Sequence, residues 1–167
     1  MKTQEEWITD LNLEPHPEGG FYKRTEEPSK MVSVGDNQRR IYTSIYFLLT
    51  ENNPSHFHQL TADEIWYYHD GQPLTVHCIF EDGHYEAVKI GKNSQKGERL
   101  HYTVPAGTIF GSTVEKDYAL VSCAVIPGFE FSDFKLFTQE ELLAKYPEHR
   151  DIIELLAFEI KKKKKNM

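Results

Sequence analysis

The sequence predicts an all-β domain, an antiparallel sandwich or barrel, with short helices at its two ends. Two observations carry that prediction. Runs rich in β-branched and aromatic residues recur at a spacing of about 8 to 12 residues, the rhythm of short strands joined directly to one another. The connections between them hold turn residues, as at Asp70-Gly71-Gln72-Pro73, Glu81-Asp82-Gly83 and Pro105-Ala106-Gly107.

Taken in order, Thr3-Gln4-Glu5-Glu6 is a capping box, and Trp7, Ile8 and Leu11 fall on one face of a helix that ends near Leu13. Pro15 and Pro17 stop it. Glu14 to Tyr22, with its paired Gly19-Gly20, reads as a loop leading into a strand, and residues 28 to 38 read as a polar loop. Strands are expected at Ile41–Leu49, Glu64–Tyr68, Leu74–Phe80, Tyr85–Ile90, Leu100–Val104 and Tyr118–Ile126. A second capping box, Thr138-Gln139-Glu140-Glu141, opens a terminal helical region whose apolar stripe is Ile152, Ile153, Leu155, Leu156 and Ile160. Residues 1–160 read as one domain, and 161–167 as a lysine-rich, solvated, disordered tail.

Composition narrows the functional class. The chain has 167 residues, 39% of them hydrophobic, enough for one domain with a substantial core. Five of its 19 basic residues lie in Lys161–Lys165, so residues 1–160 carry 14 bases against 26 acids. That balance argues against a nucleic-acid-binding surface on the folded body. No apolar run reaches the ~20 residues of a membrane span, and the N-terminus has no hydrophobic signal core, so a cytoplasmic location without membrane association is expected. Cys78 and Cys123 sit in apolar runs and read as reduced core residues, with a bridge between them the alternative.

The richest stretch chemically is Ser55-His56-Phe57-His58, followed by Asp63-Glu64-Ile65-Trp66. In an extended segment His56 and His58 leave the same face, and a following strand can return a carboxylate to it. Two imidazoles and a carboxylate form one face of a metal's coordination sphere and leave positions open to a substrate. Without metal, a histidine beside a carboxylate is a candidate general base. Alternation also puts Glu64, Trp66 and Tyr68 on one face, where the aromatic pair is either core or a platform for a flat or sugar-like ligand.

The His-x-His pair, the downstream Glu64, Gly71 and Pro105-x-Gly107 resemble the cupin superfamily. Pro15 to Phe21, Thr43 to Leu49 and Pro127-Gly128-Phe129-Glu130-Phe131-Ser132-Asp133-Phe134 resemble a single-domain branch grouped with sugar-nucleotide-epimerase-like cupins. The resemblance implies a double-stranded β-helix, or jelly roll, a ligand site in the barrel mouth, and a homodimer. It also implies that Glu18 faces the pocket and that Asp133 either caps a turn or reaches the site. This chain departs from the metal-binding pattern by one extra residue between His58 and Glu64, which makes Asp63 a rival ligand, and by Phe110 where metal-dependent cupins place their last histidine. His56, His58 and Glu64 remain as candidate ligands, with His101 in reserve, and His16, His69, His77, His84 and His149 read as structural or surface residues.

The expectation is therefore a small-molecule-binding protein in one of three forms. The first is an isomerase or epimerase-like enzyme acting on a carbohydrate or nucleotide-sugar derivative, with His58 as base and Tyr46 or Tyr68 returning the proton. The second is a metal-dependent enzyme using His56, His58 and Glu64. The third is a non-catalytic binding module, with His56, Glu64, Trp66, Glu18, Phe110 and Asp133 lining its pocket. Phe110 weighs toward no cofactor, or at most a weakly held divalent transition metal. A phenyl ring offers no lone pair.

Overall fold

A computed structural model describes residues 2–160. The lysine tail inferred at 161–167 lies outside the described residues. Three α-helices frame the strands among the described residues: α1 (Gln4–Asp10), α2 (Gln139–Lys145) and α3 (Arg150–Leu156). Both capping boxes form, Thr3 with Glu6 and Thr138 with Glu141. None of these helices is long and apolar enough to cross a membrane.

The strands are β1 (Glu14–Pro15), β2 (Phe21–Glu26), β3 (Met31–Val34), β4 (Asn37–Arg40), β5 (Thr43–Thr50), β6 (Ser55–Gln59), β7 (Asp63–Gly71), β8 (Leu74–Ile79), β9 (Tyr85–Ile90), β10 (His101–Val104), β11 (Ile109–Val114), β12 (Tyr118–Ile126) and β13 (Lys135–Leu136). A six-stranded sheet runs β1-β2-β5-β12-β7-β10 and a five-stranded one runs β13-β6-β11-β8-β9, with antiparallel pairing throughout. The two sheets close into a jelly roll around a core containing Phe47, Leu49, Trp66, Val76, Phe110, Val121 and Cys123. Helices α2 and α3 cover a second cluster outside the five-stranded sheet, built on Phe57, Ile109, Leu142, Ile153 and Leu156. Helix α1 sits over Leu48, Tyr118 and Leu120 on the outer face of the six-stranded sheet.

Three local differences from the sequence reading have physical causes. Residues 31–40 form the hairpin β3–β4 rather than a loop, because Gly35 at φ 58° turns the chain and lets the short alternation Met31 to Val34 pair. Strand β11 was not expected, since Gly111 and Ser112 interrupt its apolar run. Gly111 is required there: a Cβ would stand 2.7 Å from the Ser55 carbonyl oxygen and 2.8 Å from Leu156. In the terminal stripe only Ile153 and Leu156 are buried, while Leu155 and Ile160 are exposed, because α3 ends at Leu156 and shows the core a narrow face. Cys78 and Cys123 are buried free thiols.

Candidate functional site

The site is built where the Pro/Gly strap before β2 crosses the end of β6. Gly19 (φ 108°) and Gly20 (φ 79°) bend the strap so that it lies against Pro54 and β5. The backbone N–H of His56 donates to the Glu18 carbonyl oxygen at 2.7 Å, and the His56 ring Nδ1 donates to the same oxygen at 2.8 Å. The strap is thereby tied to β6, and the Glu18 side chain, 5% exposed, enters the barrel. There its Oε2 lies 2.7 Å from His58 Nε2.

His58 has no free nitrogen. Its Nδ1 is 2.7 Å from the His56 carbonyl oxygen, an acceptor only, so Nδ1 carries a hydrogen. Its ring packs between Phe110, with centroids 4.2 Å apart, and Phe134 at 5.3 Å. Burial alone would pull the His58 pKa down. The Glu18 charge and hydrogen bond, with a contribution from Glu64, outweigh burial and raise it. Burial likewise works against ionised Glu18, but the facing His58 overcomes it and holds that carboxyl below its usual range. The pair is an imidazolium and a carboxylate. His16 completes this corner: its Nδ1 accepts the Glu18 N–H at 3.1 Å, and burial, with the nearby His58 charge, keeps it neutral.

Glu64, 6% exposed, lines the same cavity and behaves oppositely. Burial, then the Glu18 charge, push its pKa up to about 8, so it holds its proton at neutral pH. Cys123, Tyr22, Arg24, Thr43, Phe129 and Phe134 line the rest of the cavity, which encloses about 30 Å³. That is room for about two water molecules.

A carboxyl whose pKa is raised on folding keeps a proton that the unfolded chain releases above about 4.5, so Glu64 costs stability progressively from about pH 4.5 up toward 8. Glu64→Gln removes that slope. The thermal midpoint of the variant should rise relative to the native protein as pH increases, exceeding it by several degrees at pH 8, as scanning calorimetry at stepped pH would detect.

The other residues singled out from sequence fall as follows. Phe110 is directly opposite His58 in the β11–β6 register, so the position of the missing histidine does meet the site. His56 lies outside the cavity, with its Nδ1 committed to the Glu18 carbonyl. Trp66 is fully buried in the core, 6.0 Å from Phe47 and 6.4 Å from Phe110, and does not line the cavity. Tyr68 faces the barrel on the same side as Glu64 but donates its hydroxyl to the Gly71 carbonyl at 2.7 Å, away from the cavity. Tyr46 lies on the opposite face of β5, in the cluster under α1. Asp133 makes a two-pronged ion pair with Arg39, 2.7 Å on each oxygen, which fastens the 127–134 loop to the β3–β4 hairpin. His101 stacks on exposed Tyr67, outside the barrel.

Sequence reasoning passed over Tyr22 and Arg24, which β2–β5 pairing carries to the cavity, and read as structural or surface His16, which the strap before β2 brings there. The period-2 alternation of Tyr22 and Arg24 was the one signal available.

The pattern that the sequence resembles includes a metal-binding form, so the donor set matters. Among the described residues no group of three or more His, Cys, Asp or Glu is arranged to hold a metal ion. His56 is turned to the strap, both His58 nitrogens are bonded, and Phe110 fills the fourth position, so His56, His58 and Glu64 do not assemble as ligands in this arrangement.

Comparison with known proteins agrees with this architecture. The chain is 31% identical over 153 residues to an uncharacterized protein of Saccharomyces cerevisiae, covering 81% of this chain and 76% of that one. A hypothetical protein from Leishmania major superposes with a TM-score of 0.92 at 43% identity, covering 95% of this chain and all of that one. A protein from Shewanella oneidensis gives 0.89 at 43% identity, covering 96% of this chain and 100% of that one. Oxalate decarboxylase of Bacillus subtilis shares the fold alone, with a TM-score of 0.56 at 13% identity over 93% of this chain and 42% of that one. The model of the cupin superfamily family DUF985 matches residues 5–137, and the chain belongs to that family.

Proposed function

We propose that this cupin binds a small polar carbonyl compound in its barrel and moves a proton on it, an isomerase or epimerase-like reaction. The observation that carries this reading is the pair of buried carboxyls in one cavity with pKa values displaced in opposite directions, Glu18 down and Glu64 up to about 8. Such a split assigns a base and an acid that coexist at neutral pH. Glu18 removes a proton from the carbon next to the carbonyl, while Glu64 gives its proton to the carbonyl oxygen. An enol forms, with Glu18 now neutral and Glu64 ionised; Glu18 then gives its proton to the former carbonyl carbon while Glu64 takes the proton of the neighbouring hydroxyl, which completes the isomerisation and restores both groups. His58, with both nitrogens engaged, keeps Glu18 ionised and oriented, a different role from the base that its sequence context suggested. The acid role passes from Tyr46 and Tyr68 to Glu64, because neither tyrosine lines the cavity.

The test is incubation in deuterated water with a panel of small aldoses, ketoses and oxo acids, followed by proton NMR. Protein-dependent loss of a C–H signal is expected, reduced about 10²-fold or more in Glu18→Gln. Compounds that bind without exchange would instead make the barrel a non-catalytic binding module.

A further inference from the structure

We infer that the substrate is a small acid, a 2-oxo or 2-hydroxy carboxylate whose carboxylate is held by Arg24. The inference rests on the proton-transfer reading for its carbonyl end and on separate observations for its anionic end. Arg24 lines the cavity alongside Glu18, His58 and Glu64, with its guanidinium over the Phe129 ring, 5.9 Å from the centroid. Its acidic neighbour, Glu27, is 3.4 Å away and 55% exposed, so the pair is solvent-screened and leaves the guanidinium available. Deeper in, the cavity is electrically balanced. His58 and Glu18 cancel each other at 2.7 Å, and Glu64 carries its proton, so Arg24, whose partner Glu27 stands outside the cavity, is the one charge with no counterpart within the lining.

A second, buried group asks for a partner. Glu64 Oε2 is fully enclosed and makes no hydrogen bond of good geometry among the described residues, with the Cys123 thiol and the equally unpaired Trp66 indole beside its carboxyl, an arrangement that a water or ligand oxygen would complete. A carbonyl or hydroxyl oxygen there, with a planar anion on the Arg24 fork, is the pattern of a 2-oxo or 2-hydroxy acid. A neutral sugar would leave Arg24 facing an unpaired site.

The experiment titrates native protein, Arg24→Gln and a Glu27→Gln control with pyruvate, lactate, methyl pyruvate and inorganic phosphate, reading affinity by ligand-observed NMR. Arg24 lies on a part-exposed strand position, and an unchanged thermal midpoint for Arg24→Gln establishes that the variant is folded. Pyruvate or lactate should bind the native protein and the Glu27→Gln control alike, and bind Arg24→Gln about tenfold more weakly, while methyl pyruvate is indifferent to the substitution. Equal affinity of the acids for native protein and Arg24→Gln, or no binding of either acid, overturns the inference. A response to phosphate alone overturns the carboxylate class. Deuterium exchange at the pyruvate methyl group is read on the same samples. Arg24-dependent binding without exchange would remove the proton-transfer function and leave the acid site standing, whereas exchange of methyl pyruvate as fast as pyruvate in both forms would do the reverse.

Discussion

Replacing His58 with alanine should lower the thermal midpoint by on the order of 10 °C as well as abolishing function, an effect larger than a pocket residue ordinarily has. The cause is the partner left behind. Glu18 would remain in the barrel, 5% exposed, without the imidazolium 2.7 Å from its Oε2. Breaking a buried pair from one side costs about 3–5 kcal/mol, and at this chain length each kcal/mol moves the midpoint by about 2–4 °C. The control is the double variant with Glu18→Gln, which removes both charges and should recover much of the loss. Calorimetry of the four proteins at pH 7 gives the coupling. If His58→Ala alone melts within two or three degrees of the native protein, the pair does not exist as an ion pair.

The second large effect is expected from Gly19→Ala. At φ 108° no L-residue is comfortable, and a Cβ at this position would stand 1.9 Å from the Pro54 carbonyl oxygen, a backbone atom that cannot swing aside. The substitution should cost several kcal/mol and, because the strap carries Glu18, should also release the carboxylate from His58. Gly35→Ala is the natural comparison: φ is 58° and nothing lies within 4 Å of its Cβ, so only backbone strain of about 1–2 kcal/mol applies. Chemical denaturation of both variants should separate them clearly. Similar midpoints would mean the strap is free to move off Pro54.

The jelly roll was legible because most strands alternate or carry strong β formers between turn residues, and Tyr85–Ile90 and Tyr118–Ile126 appear where the pattern put them. The site was legible only in part. Alternation correctly put Glu64, Trp66 and Tyr68 on the barrel face of β7. It could not do so for Tyr46, since Ile45 to Leu49 is apolar throughout and a period of two gives no face to choose. Nor could spacing reveal that His58 meets Glu18 rather than Glu64 first. That contact spans forty residues of chain and depends on the two-glycine strap docking on Pro54. His56 shows the complementary limit: sharing a face with His58 settled its direction, but the strap carbonyl took its nitrogen.

The Arg39–Asp133 clasp also bears on timing. The cavity is small, about 30 Å³, and Phe129 and Phe134 line it on the segment that Asp133 fastens to the hairpin. Lifting that segment would widen the cavity, and the clasp, with side chains only 13% and 18% exposed, resists lifting more than an open surface pair would. Residence time should then be a property of residues that never touch the guest. A protein severed at this clasp should exchange a bound guest faster in both directions at nearly unchanged affinity, so that the hairpin, the least chemically equipped part of the chain, would set the pace of exchange.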